Sequence, residues 1–117
     1  MTSTAFSIVQ SVYEPEWESR LILDGDTAVG FVFYGWGAGE DAPLLCRYTI
    51  DVDHQGKGYG KAALPVIVEE MLRQYQTWEI FLTLEAGNAR AIRLYTGFGF
   101  VPTGESDEGE EIYVYRT

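Results

Sequence analysis

The sequence predicts one α/β or α+β domain, a single mixed sheet with flanking helices. Three observations lead there. Of 117 residues, 46% are hydrophobic and 15% aromatic, which suits one folded core and leaves no room for a second domain. Apolar runs of strand length and of helical period follow one another in the order helix–β–β–β–α–β–α–β–β. A glycine-rich loop, His54-Gln55-Gly56-Lys57-Gly58-Tyr59-Gly60-Lys61, joins a strand-like run to a helix-like one.

Taken in order, residues 4–13 place Ala5, Ile8, Val9 and Val12 on one face and predict a short helix. Glu14-Pro15-Glu16 ends it, since the residue before a proline avoids the helical region. Residues 19–24 and 28–36 predict strands joined by the hairpin turn Asp24-Gly25-Asp26. A glycine- and acid-rich loop, Gly37 to Asp41, precedes a strand from about Leu44 to Val52. Residues 60–75 carry Ala63, Ile67 and Met71 on one stripe, with Leu64, Val68 and Leu72 beside it, the pattern of an amphipathic helix. Pro65 lies beyond its first turn and predicts a bend or irregularity there, because a proline inside a helix removes a hydrogen bond at a cost of about 3 kcal/mol. Residues 79–85 form the clearest strand, and Asn88 is a credible cap for a helix over 89–97. Two last strands, near 99–103 and 110–116, flank the acidic turn Glu105 to Gly109.

Composition narrows the functions. A formal net charge of −10 argues against nucleic acid, whose phosphates demand a positive face, and is compatible with a cationic small substrate drawn in by the overall field. The single cysteine, Cys46, excludes an internal disulfide framework, and with one histidine it leaves too few soft ligands for a metal centre. No apolar run reaches membrane-spanning length and no signal peptide is evident, so a soluble, cytoplasmic protein is expected.

The only two lysines, Lys57 and Lys61, sit in the glycine-rich loop and create a positive spot in an acidic chain. Glycines let a backbone approach a ligand, and a following helix start offers unpaired N–H groups at its positive dipole end. The combination reads as a seat for a phosphate-bearing ligand. A Walker A loop is excluded because Ala62 follows Gly60-Lys61, and a dinucleotide fingerprint because the glycines are spaced 56, 58, 60.

What remains is Gln55-x-x-Gly58-x-Gly60, then a helix, a strand, and Asn88-x-x-Ala91-x-x-Leu94-Tyr95-x-x-x-Gly99-Phe100. Together these resemble the two signature segments of the GNAT N-acetyltransferase superfamily. The stretches Tyr13 to Glu18, Asp24 to Val32, Gln55 to Ala63 and Pro102 to Glu105 look most like its bacterial spermine/spermidine acetyltransferase-like branch. The resemblance implies a mostly antiparallel mixed sheet and acetyl-coenzyme A as co-substrate. It implies that the diphosphate lies over the N–H groups of Gly56, Lys57, Gly58, Tyr59, Gly60 and Lys61, next to Gln55. It implies that Tyr48, Thr49 and Ile50 lend backbone hydrogen bonds to the pantetheine arm, and that Asn88 contacts that arm. Tyr95 matches the tyrosine that protonates the leaving thiolate, and a primary amine is the implied acceptor, with a polyamine such as spermidine or spermine the leading candidate. For Asn88 and Tyr95 the plainer readings are a helix N-cap and a core aromatic.

Some branches place a glutamate base on the strand before the loop, but Leu44 holds that position here. Asp51, Glu85 or an ordered water that carries the proton out are the conceivable substitutes, and no base is assigned. Cys46 is expected to be buried and inert. Arg90 and Arg93 are expected at the surface, with one able to reach a coenzyme phosphate. Against the family pattern the chain looks N-terminally shortened, lacking the usual first strand and helix. The first hairpin is then expected to present an unpaired edge, which a homodimer partner could cover. Two other functions stay open on sequence: a CoA-binding regulatory module or inactive shortened acetyltransferase without turnover, and acetylation of protein or peptide amines.

Overall fold

The computed structural model describes residues 6–13, 17–36 and 41–117. Along the chain run β1 (Phe6–Tyr13), β2 (Trp17–Asp24), β3 (Thr27–Gly35), β4 (Leu44–Ile50), a 3₁₀ turn (Val52–His54), α1 (Tyr59–Tyr75), β5 (Glu79–Leu84), α2 (Ala89–Phe98), β6 (Val101–Asp107) and β7 (Glu110–Arg116). The strands form one seven-stranded sheet ordered β1-β2-β3-β4-β5-β7-β6. Every neighbouring pair is antiparallel except β4 and β5. Among the described residues no helix is long and apolar enough to cross a membrane.

The first element corrects the sequence reading. Residues 6–13 form a strand, not a helix, paired with β2 from Phe6↔Asp24 to Tyr13↔Glu18. The segment is rich in β-branched and aromatic residues (Phe6, Ile8, Val9, Val12, Tyr13), and that preference outweighs an apolar spacing that also fits a helix. The β2–β3 hairpin therefore has a neighbour, and β1 takes the edge position. The predicted helix end at Glu14-Pro15-Glu16 and residues 37–40 of the predicted loop lie outside the described residues.

One smaller difference follows from turn chemistry. β6 extends to Asp107, further than expected, because Glu108 and Gly109, both at positive φ, close a two-residue turn under the Asp107↔Glu110 pair. α1 runs as one helix from Tyr59 to Tyr75 with Pro65 inside it and exposed to solvent.

Both helices pack on one face of the sheet. Ala63, Leu64, Ile67, Val68 and Met71 of α1 are buried against Ile22, Val32, Tyr34, Ile80 and Leu82, and Tyr95 of α2 joins the same cluster. The predicted stripe is the buried one, with only Leu72 left partly open. A polar network fastens the C-terminal half of α1. Buried Glu18 accepts from Arg20 at 2.5 Å and from the Gln74 amide, while the Tyr34 hydroxyl donates to Gln74 Oε1 at 3.0 Å.

Gly30 on β3 faces Ile50 on β4. A Cβ there would stand 2.5 Å from Thr49 O and 2.9 Å from Ile50 Cδ1, so only glycine lets the strands lie this close. Gly30→Ala is expected to destabilise the fold by about 1–3 kcal/mol, as overpacking does elsewhere. Denaturant unfolding checks this, and an unchanged midpoint would contradict the close approach.

Candidate functional site

β4 and β5 pair only through Leu44↔Phe81, with the Phe81 N–H donating to Pro43 O at 3.0 Å. Each then keeps its outer neighbour, β4 with β3 as far as Ile50 and β5 with β7 as far as Leu84. The two strands part, and the β5-facing edge of Tyr48–Ile50 has no strand partner. A bulge sets the side chains at this point. Tyr34 pairs with Leu45 and Phe33 with Arg47, which leaves Cys46 as an extra residue. In a regular strand Leu45 and Tyr48 would point to opposite faces; the bulge turns both toward the helices.

The loop that follows is held and then opened. The Gln55 side chain donates to Ile50 O at 2.8 Å and folds the chain back on the strand end. Gly56 and Gly58 adopt φ of 79° and 86°, the left-handed region that a side chain disfavours. Gly58 is the N-cap of α1 and no side chain caps the helix. The Ala62 N–H is returned to Gly58 O at 3.0 Å, so the Gly60 and Lys61 N–H groups precede the first helical acceptor. A Cβ built on Gly56 or Gly58 would meet nothing within 4 Å, so the space above the loop is open. Open N–H groups, a helix N-terminus and the Lys61 ammonium together have the chemistry to seat an anion.

Two phenols brace this seat. Tyr48 donates to Gly60 O at 2.6 Å, and Tyr59 donates to the Asp24 carboxylate at the end of β2. The acceptor at Asp24 raises the Tyr59 phenol above its ordinary value, and burial does the same to Tyr48. Across the wedge, Asn88 Oδ1 accepts from the Ala91 N–H at 3.2 Å and caps α2. Tyr95 is 7% exposed, its ring edge-on to Phe100 at 5.7 Å and 6.5 Å from the Tyr48 ring. Burial pushes its phenol up to about 12.

These elements enclose a cleft of about 520 Å³. Tyr48, Thr49, Ile50, Gln55, Gly56, Gly58, Tyr59, Gly60, Lys61, Asn88 and Tyr95 all line it, whereas Lys57 does not. Asn88 caps α2 and Tyr95 packs in the core, the plainer readings of each, and both also stand on the cleft wall. The sequence reading gave no wall role to His54, Ala91 or Leu94, and left Arg90 between surface and ligand. For α2, helical spacing from Asn88 was the available signal, since Ala91 and Tyr95 share its face.

A second cavity of about 420 Å³ continues the first between the helices, sharing Lys61, Arg90 and Leu94 and adding Arg93. Its floor is apolar, with Leu64, Pro65 and Phe98, and none of its three cations is in an ion pair among the described residues. Asp51 and Glu85 are exposed and neither lines the cleft. Cys46 is exposed and not buried, because the bulge lifts it out of the regular alternation. Desolvation still raises its thiol against the pull of Arg47, so it is not an activated nucleophile.

Residues 5–100 match the family described as the acetyltransferase (GNAT) family. The chain belongs to that family. It is 38% identical over 101 residues to the spermine/spermidine N(1)-acetyltransferase of Bacillus subtilis (strain 168), covering 80% of this chain and 66% of that relative. It thus spans just under two thirds of the relative's length. The fold matches an acetyltransferase from Thermus thermophilus (TM-score 0.74, 22% identity, 89% of this chain and 66% of that one). It also matches a spermidine N-acetyltransferase from Vibrio cholerae solved with CoA and spermine (TM-score 0.71, 17% identity, 86% and 64%).

The raised Tyr95 phenol gives a pH prediction. Its folded value of about 12 lies above the ordinary 10, so its contribution to stability is complete below about pH 10 and is lost as pH rises through about 12. Difference titration of phenolate absorbance between wild type and Tyr95→Phe should isolate one phenol ionising near 12. Ionisation at 10 or below would contradict its burial.

Proposed function

We propose that this chain is an acetyl-CoA-dependent N-acetyltransferase whose acceptor is a primary amine of a polyamine such as spermidine or spermine. One observation carries it: a single cleft joins an unpaired strand edge, an open glycine seat for a diphosphate, and a buried, protonated phenol. Coenzyme A fits the residues present. Its diphosphate suits the N–H groups of Gly56 to Lys61, and its pantetheine amides suit the free edge of Tyr48–Ile50 and the amide of Asn88. Its adenine and outlying phosphate suit the apolar floor and the Lys61, Arg90 and Arg93 cations of the adjoining cavity.

Bound acetyl-CoA supplies a thioester whose carbonyl carbon the neutral amine attacks and whose C–S bond breaks. The residues of the chain position and stabilise. Backbone N–H groups on the β4 edge would stabilise the carbonyl oxygen as it gains negative charge. The Tyr95 hydroxyl, on the cleft wall, would donate to the departing sulfur. With a phenol at about 12 and an ordinary thiol near 8.5, full proton transfer is uphill, so Tyr95 stabilises the thiolate through its hydrogen bond and solvent completes the protonation. No base is assigned among the described residues of the cleft, and the proton of the amine leaves to solvent. Support for a polyamine comes from the Bacillus subtilis relative and from the net charge of −10, which attracts polycations.

Calorimetry with acetyl-CoA and a thiol-release assay across spermidine, spermine, small amines and peptides test this directly. Tyr95→Phe should lower kcat by about 100-fold and leave CoA affinity within about twofold. Lys61→Ala should weaken CoA binding more than Lys57→Ala, and more at low salt. Binding without thiol release from any amine would leave a CoA-binding module instead, and absent binding would remove both.

A further inference from the structure

We infer that the Tyr48 hydroxyl is a positioning group that aims and strengthens the Lys61 N–H of the anion seat, an inference that rests on the transferase reading. Tyr48 reaches α1 only because the Cys46 bulge turns it to the helix face. Its hydroxyl donates to Gly60 O at 2.6 Å, while its ring lies 6.5 Å from that of Tyr95. Gly60 O and the Lys61 N–H belong to one peptide unit. A carbonyl has two lone pairs, so Gly60 O takes the phenol while still serving the Leu64 N–H in the helical ladder.

Two consequences follow from amide chemistry. A donor on the carbonyl fixes the plane of a rigid peptide group and so the direction of its N–H. It also draws electron density toward oxygen and makes that N–H a stronger donor, as in any hydrogen-bonded chain. Lys61 sits in the first turn of α1, before its first helical acceptor, and lines both cavities. The phenol therefore acts through the Lys61 amide on a bound diphosphate without touching it. Gly60 suits the arrangement, since a Cβ there has only Ile50 Cγ1 at 3.9 Å and the face over this peptide stays open.

Tyr48→Phe keeps the ring and removes only the hydroxyl. CoA affinity, measured by calorimetry, should fall about three- to tenfold, the worth of one hydrogen bond. Affinity for pantetheine, which has no phosphate, should stay unchanged, and the Lys61 amide proton resonance of the free protein should move upfield. Unchanged CoA affinity would overturn the inference, as would an equal loss for CoA and pantetheine, which marks a general packing role. An unmoved Lys61 resonance would overturn it too. Wild-type protein that fails to bind CoA refutes the transferase reading itself, a result distinct from any of these.

Discussion

The site depends on one discontinuity in the sheet, the parting of two parallel strands after a single pairing at Leu44↔Phe81. Had the ladder continued, β4 and β5 would lie about 4.8 Å apart and the cleft would vanish. Parting has a cost. It strands backbone donors and acceptors on the inner edge of β4, and such groups must find water or a ligand. An extended ligand arm carrying amides is what a free strand edge accommodates. The discontinuity is thus what opens a cleft in an otherwise continuous sheet.

Around that wedge, short-range contacts fix the seat for charge. Gln55 folds back to Ile50 O, Tyr48 reaches across to Gly60 O and Tyr59 reaches to Asp24. At the far end of α1 the Glu18, Arg20 and Gln74 network holds the helix to β2 and β3. The helix N-terminus is therefore anchored from several sides while the Gly60 and Lys61 N–H groups precede the first helical bond. Positive charge is local: Lys61, Arg90 and Arg93 line adjoining cavities in a chain of net charge −10. Under the proposed function, that contrast would hold an anionic co-substrate at one place while the wider field favours a cationic acceptor.

Much of this was legible in the sequence because it is written in local chemistry. Glycines at 56 and 58 answer to positive φ, the α1 stripe to burial, and Asn88 to its cap. What stayed hidden depends on distant partners. The strand at Phe6–Tyr13 is decided by pairing with β2, and its apolar spacing fits a helix equally well. The exposure of Cys46 follows from a bulge that only the register with β3 reveals. Lys57, adjacent to Gly58, stays off the cleft that Lys61 lines, a distinction the loop sequence does not carry. The basic cavity formed by Lys61, Arg90 and Arg93 needs both helices in place before the three charges meet.

The central claim is that the open first turn of α1 and the free edge of β4 hold one ligand between them. Residue-resolved amide shifts in a titration with coenzyme A test it most directly. Large changes should appear together at Gly56 to Lys61 and at Tyr48 to Ile50, with Asn88 following and β6 unmoved. Saturable binding with its shifts confined elsewhere, or none at the glycine loop, would contradict it.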